Sequence, residues 1–175
     1  MPTTAPRRPQ KTPNEIFSPL SSYYQSSMII TSSSFDDGGM IPKKFTCDGG
    51  DMNPELLVEN VPEEAQSLAL ILHDPDAPRP GGFTHWTVWN IDPRTSLIKE
   101  ESIPPGSVEG ANDALRVGYI GPCPPPGAPH HYHFQLYALD AILDLPEAAS
   151  VAALRKEIEK HVVAHAELIG RYGRE

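Results

Sequence analysis

Between residues 74 and 133 the chain concentrates the side chains that could do acid–base, anion or metal chemistry. The stretch opens with Asp74-Pro75-Asp76-Ala77-Pro78 and continues with His85-Trp86. It then passes through Gly121-Pro122-Cys123-Pro124-Pro125-Pro126-Gly127 and reaches His130-His131-Tyr132-His133. Acids and imidazoles interleave here with apolar, strand-like runs. That pattern suggests a small pocket where strands meet loops, lined by groups able to hold a compact anion.

Each residue type has a functional and a plainer reading. Asp74 follows an apolar run and precedes a proline, which fixes the backbone beside it. Its carboxylate can orient a histidine or meet a cation; it can equally close an Asx turn. Asp76 has the same choice, and the turn role suits it better. His85 opens a strand-like run and can donate to an anion or sit in the core as a satisfied polar residue. In an extended run from residue 130, side chains alternate faces. His130, Tyr132 and Phe134 then share one face, and His131, His133 and Gln135 the other. The first set offers an imidazole and a phenol to one pocket. The His131/His133 pair could ligate a metal, a weak signal by itself.

Other chemistries are poorly served. The Gly121–Gly127 loop is mostly proline, so it has few backbone donors and is no phosphate-binding P-loop. The amides of Gly121 and Cys123 could still face a ligand. Cys123 beside His130 could form a nucleophile pair, but no local cysteine-protease signature accompanies it. No serine stands in a Gly-x-Ser-x-Gly elbow.

The elements that must position these residues read as mainly β. Met28–Thr31, Leu56–Val58, Ser67–His73, His85–Ile91, Arg116–Ile120 and Tyr132–Leu139 are strand-like. The unbroken apolar run Ser67–His73 suits a strand buried on both faces. One helix is expected near the C-terminus. Ser150 is a plausible N-cap; Val151, Leu154, Ile158, Val162 and Ile169 recur at helical steps, and Gly170 is placed as its stop.

At 175 residues one domain with a sizeable core is expected. The net charge of −9 argues against nucleic acid and anionic membranes as general partners. No apolar run approaches the roughly 20 residues of a membrane span. Prolines number 20, well above the usual share of about 5%, and many fall mid-chain, where they stiffen loops. Residues 1–27 are rich in Pro, Ser, Thr and Gln, without the apolar core of a secretory signal, and are expected to be a disordered extension. Residues 28–175 form the expected domain. Cys47 and Cys123 are too few for a disulfide framework; two free thiols in a reducing compartment are the expectation, a single disulfide the alternative.

Several segments together resemble the phosphatidylethanolamine-binding proteins, also called Raf kinase inhibitor proteins, most closely their prokaryotic YbhB/YbcL branch. The matching stretches are Ile41–Gly49, Asp74–Pro78, His85–Ile91, Gly118–Pro125, His130–Asp140 and Glu167–Gly173, in order over about residues 28–174. The resemblance implies a β-sandwich of two sheets with peripheral helices, including a C-terminal one, and a small anion pocket at one end. Carried over residue by residue, it implies ligand-binding roles for Asp74, His85, Gly121, His130 and Tyr132, with no catalytic residue, metal or cofactor. It also implies pairing as a homodimer; a cytoplasmic location is expected beside the reading of free thiols in a reducing compartment.

The function expected is a non-enzymatic binding protein. Its pocket takes phosphate or a phospho-head-group, and it regulates a kinase or protease. Two imidazoles and backbone N–H groups can donate to phosphate oxygens. A carboxylate near an imidazole favours its charged form, so affinity should fall as pH rises between about 5.5 and 8. The alternative is a metal-assisted hydrolase using Asp74, His85, His130 and His133.

Overall fold

Residues 27–175 are described by the structure, a computed structural model. The expected disordered extension, residues 1–27, lies almost wholly outside them.

Among the described residues, strand-forming runs of branched and aromatic residues give eight strands, which sort into two antiparallel sheets. The smaller sheet orders β1 (Ile29–Thr31), β2 (Leu56–Glu59) and β5 (Leu97–Ile98) side by side. The larger orders β6 (Val108–Glu109), β4 (Phe83–Ile91), β3 (Ser67–Asp74), β7 (His130–Leu139) and β8 (Val162–Tyr172). The main core lies between the sheets. Ile30, Leu56, Val58 and Ile98 meet Leu68, Leu70, Leu72, Trp86, Val88, Phe134 and Leu136 there. A second apolar cluster covers the opposite face of the large sheet, where Leu154 and Ile158 of α1 (Val151–His161) pack on Ala69, Ile71 and Trp89. The apolar run of β3 is therefore buried on both faces, as its sequence requires.

Alternation explains how the chain builds one chemically distinct end. Leu68, Leu70 and Leu72 point inward along β3, and Asp74 is the next residue of that row. Phe134, Leu136 and Ala138 point inward along β7, and Tyr132 and His130 continue their row. The antiparallel pairing sets Leu72 opposite Phe134 and His73 opposite His133, so both polar ends emerge together.

β4 reaches the same end differently. Leu72 pairs with Trp86, yet the adjacent His73 pairs with Thr84, leaving His85 as an extra residue in the ladder. This β-bulge changes which residues face inward: Trp86 and Val88 beyond it, Phe83 and His85 before it. A second irregularity at Asn90, with φ of 55°, restores Ile91 to the core. The Asn90 side chain is tied to the backbone of Leu143 in both directions.

Three elements differ from the sequence reading. The terminal helix begins as expected, with Ser150 Oγ accepting the N–H of Ala153, but ends at His161 rather than near Gly170. From there β8 runs the length of β7. Its inward row, Ala164, Ala166, Leu168, Gly170 and Tyr172, has period two, and the β-branched pair Val162-Val163 favours an extended chain over another helical turn. Gly170 is needed for packing, since a side chain there would run into Ile41 and Phe35. Arg116–Ile120 makes only one isolated bridge, Val117 to Ala111, because positive φ at Leu115 and Gly118 bends the backbone. Finally, Cys47 and Cys123 are joined in a disulfide, not free. The expectation of free thiols came from composition alone. Folding brings the 3-10 turn Lys43–Phe45 and the proline loop together, which residue counting could not show.

Candidate functional site

At the polar end of the large sheet, Asp74, His85, His130 and Tyr132 line one pocket of about 300 Å³. Ala77, Pro78 and Arg79 close one side; Ile120, Gly121, Cys123, Pro124 and Pro125 close the other. The volume lies at the small end of ligand cavities, suited to a compact group.

Asp74 fills both roles foreseen for it. Its Oδ1 accepts the N–H of Asp76, an Asx turn, while Oδ2 accepts Nδ1–H of His130 at 2.8 Å. The pair is well buried, with side-chain exposures of 13% for His130 and 4% for Asp74. His130 therefore holds its hydrogen on Nδ1 and turns Nε2 away from Asp74.

His85 is 5% exposed and donates Nδ1–H to the carbonyl of Ile120 at 2.9 Å. Its ring lies edge-on to Phe83 and Tyr132. Burial pulls its pKa below the ordinary value of 6.5, against the opposing effect of the Ile120 carbonyl. With its native pKa below that of the unfolded chain, this ring adds stability above about pH 6.5 and withdraws it as the pH falls through the native value. In a nitrogen-detected NMR titration, His85 is expected to be neutral with hydrogen on Nδ1 and to titrate below 6.5. A midpoint above that value, or an Nε2–H tautomer, would contradict this geometry.

Tyr132 is fully buried, and burial with Asp74 nearby pushes its phenol pKa well up, so it remains a neutral hydroxyl. Among the described residues, the buried side-chain atoms without a hydrogen-bond partner include His85 Nε2 and Tyr132 Oη. Both belong to this pocket, and such atoms are uncommon in native interiors.

The loop that carries Gly121 is held by the 3-10 turn region rather than by its own hydrogen bonds. Tyr119 Oη donates to Phe45 O at 2.7 Å, Cys47 N–H to Pro122 O at 3.1 Å, and Gly121 N–H to Asp51 Oδ1 at 2.6 Å. The Cys47–Cys123 disulfide crosses at the same place. Gly121 thus borders the pocket, but its N–H is already used. A Cβ at this position would lie 2.7 Å from Asp51 Oδ1 and 2.8 Å from Phe45 O. Gly121→Ala is therefore expected to cost about 1–3 kcal/mol, measured by chemical denaturation; an unchanged midpoint would show that the two segments part easily.

Not every candidate reaches the pocket. His131 N–H and Nδ1–H both go to Asp76 Oδ2, at 2.8 and 2.7 Å, near the surface. His133 lies on the outer face, with Nδ1 3.0 Å from Glu167 Oε1. Of the residues named for the metal-assisted reading, Asp74, His85 and His130 line the pocket, while the pleat puts His133 on the other face. Among the described residues no cluster of three metal-ligating side chains is arranged to hold an ion. Arg79 and Phe83 line the pocket without having been singled out from the sequence. Arg79 sits directly after the Asp74–Pro78 motif, and that adjacency was the available signal. Its guanidinium lies over the Phe83 ring, 5.7 Å from the centroid, and reaches Asp113 at 4.0 Å.

Comparison with known proteins places this geometry in a family. Residues 31–173 match the model of the phosphatidylethanolamine-binding proteins. A UPF0098 protein of Methanothermobacter thermautotrophicus is 46% identical over 152 residues, covering 84% of this chain and 99% of its own. A solved homolog of the family from Chlamydia trachomatis, CT736, is 40% identical with a TM-score of 0.81, over 85% of this chain and 99% of that one. Escherichia coli YbcL, described as a member of the mammalian family, is 30% identical with a TM-score of 0.82, over 86% of this chain and all of its own. The sandwich, the pocket end and these matches agree: this chain belongs to the phosphatidylethanolamine-binding protein family.

Proposed function

We propose that this chain is a non-enzymatic binding protein whose pocket takes a small anion, a phosphate or the phosphate of a larger ligand. The observation that carries the reading is the convergence of the Asp74–His130 pair, His85, Tyr132 and Arg79 on one small cavity. An imidazolium at His130 and the Arg79 guanidinium can each donate to phosphate oxygens, and such charge-assisted bonds are the strong ones. No hydroxyl or thiol nucleophile in the pocket is paired with a base: Cys123 is held in the disulfide, and the Tyr132 hydroxyl has no partner.

The cavity admits a phosphate but leaves the rest of a phosphorylated partner outside. We extend the proposal to regulation of a kinase or protease presenting such a group, and to pairing of two copies, which sedimentation would test. Among the described residues no helix is long and apolar enough to cross a membrane. The cytoplasmic location expected from the sequence meets an opposing observation, since both disulfide cysteines are exposed. A glutathione-poised cytoplasm tends to reduce such bonds, and oxidising compartments keep them. Trapping the thiols during extraction from cells would decide between the two.

The function is tested by calorimetric titration of inorganic phosphate into the metal-free chain at pH 6 and pH 8. Saturable one-to-one binding, tighter at pH 6, is the expected outcome. Its absence at both pH values would remove the anion pocket.

A further inference from the structure

The partner of His85 fixes what His85 can accept. A peptide carbonyl only accepts hydrogen bonds, so the contact of Nδ1 with Ile120 O at 2.9 Å places the ring hydrogen on Nδ1. In the neutral ring, Nε2 is then a bare acceptor. That atom is buried and without a partner, on a side chain 5% exposed that lines the pocket. An acceptor left unmade in such a place is costly, and a ligand that supplies a donor recovers the loss.

The surrounding groups do not supply that donor. Asp74 and His73 approach from β3, and His130 and Tyr132 from β7; Arg79 lines the same pocket, the Ile120 carbonyl holds the other ring nitrogen, and the Gly121 backbone lies beside the ring. His73 Nδ1 is engaged by Thr84 Oγ1 at 3.1 Å, and His130 Nδ1 by Asp74. Burial holds the His85 pKa down, so the ring does not readily provide the proton itself.

Anions differ in what they offer to a bare acceptor. Sulfate, carboxylates and phosphodiesters present only acceptor oxygens near neutral pH. A phosphomonoester monoanion presents one P–OH donor together with acceptor oxygens. Its hydroxyl suits His85 Nε2, and its remaining oxygens suit Arg79, the Tyr132 hydroxyl and an imidazolium at His130.

We propose that the pocket selects phosphomonoesters, inorganic phosphate included, over phosphodiesters, because a monoester monoanion brings the P–OH donor that His85 Nε2 lacks. The proposal rests on the anion-pocket reading and narrows it to one ligand class. An intact phospholipid, whose head group is a phosphodiester, is thereby disfavoured as the direct occupant.

The test is calorimetric titration of methyl phosphate and dimethyl phosphate into the full-length chain across pH 5.5–8. At pH 6 methyl phosphate is expected to bind about tenfold or more tightly. The advantage should shrink at pH 8, as the second phosphate proton, with pKa near about 6, is lost. Dimethyl phosphate carries no such proton and reports the protein's own pH dependence. Methylphosphonate, with a higher second pKa, should shift the midpoint of the advantage upward. Equal affinities for monoester and diester would overturn the proposal while leaving the anion pocket standing. A midpoint that ignores the ligand's pKa would do the same, assigning the proton to a protein group. No binding by any of the compounds would overturn both readings. The ligand series uses the native chain, so it does not depend on folding of a variant. If His85→Phe folds, it should lose the preference, and a retained preference would count against the proposal.

Discussion

His130→Ala weakens inorganic phosphate binding by roughly ten- to a hundredfold, the loss of one charge-assisted hydrogen bond in a buried site. Two consequences of the geometry act in the same direction. The variant removes the His130 ring from the pocket, and it leaves buried Asp74 without its imidazole partner. That unpaired charge faces the incoming anion and repels it. Phosphate titrated into wild type and variant at pH 6 measures the effect. A companion His131→Ala variant controls for surface charge, since His131 lies outside the pocket against Asp76 and should leave affinity unchanged. Equal affinities in wild type and His130→Ala would mean that phosphate binds elsewhere or not through this pair. The unpaired Asp74 should also lower stability, so folding of the variant is checked by thermal melting before the titration is read.

Removing the disulfide is expected to have the largest effect on stability. Cys47 and Cys123 are 76 residues apart in sequence, so the bond closes a long loop of the unfolded chain. Cross-links of this kind typically contribute about 2–4 kcal/mol, chiefly by restricting the unfolded ensemble. The Cys47→Ser/Cys123→Ser double variant should therefore melt roughly 4–16 °C below wild type. Changing both residues avoids leaving one reactive thiol. Both cysteines are exposed, so a reductant should reach the bond in the native protein and reproduce the shift without substitution. The pocket loop should keep its place in part, because the hydrogen bonds from Tyr119, Cys47 and Gly121 remain. Phosphate affinity is thus expected to change less than melting temperature. An unchanged melting temperature would show that the reduced, unfolded chain is already constrained in that region.

Much of the site was legible because β7 is regular. Simple alternation put His130, Tyr132 and Phe134 on one face and His131, His133 and Gln135 on the other, and the structure has them so. The apolar run of β3 likewise announced a strand buried on both faces. What escaped had specific physical causes. β8 was hidden because Val162 and Ile169 extend the helical stripe of α1, while the competing period-two row contains small residues such as Ala164, Ala166 and Gly170. The disulfide was hidden because its halves meet only after the 3-10 turn packs on the proline loop. Arg79 carries no periodic signal, since it sits in a turn, and only the closed pocket shows that it lines the ligand space. The hydrogen bond from Gly121 to Asp51 is a long-range contact that no local motif predicts.

The extra residue at His85 has a consequence for how this strand tolerates change. A regular strand carries a single phase: shifting it by one residue turns every side chain over. Here the bulge divides β4 into two independently phased halves, with Trp86 and Val88 registered to the interior and Phe83 and His85 registered to the ligand space. Deleting Thr84 or His85 to restore regular pairing would leave the Trp86 half in step. Phe83 would keep its place opposite Asp74, and the ligand space would lose the His85 imidazole, removed outright or, when Thr84 goes, turned to the outer face. The well-packed body would then survive an edit that strips a recognition group from the pocket, so a folded chain of normal stability is not by itself a sign that its binding surface is intact.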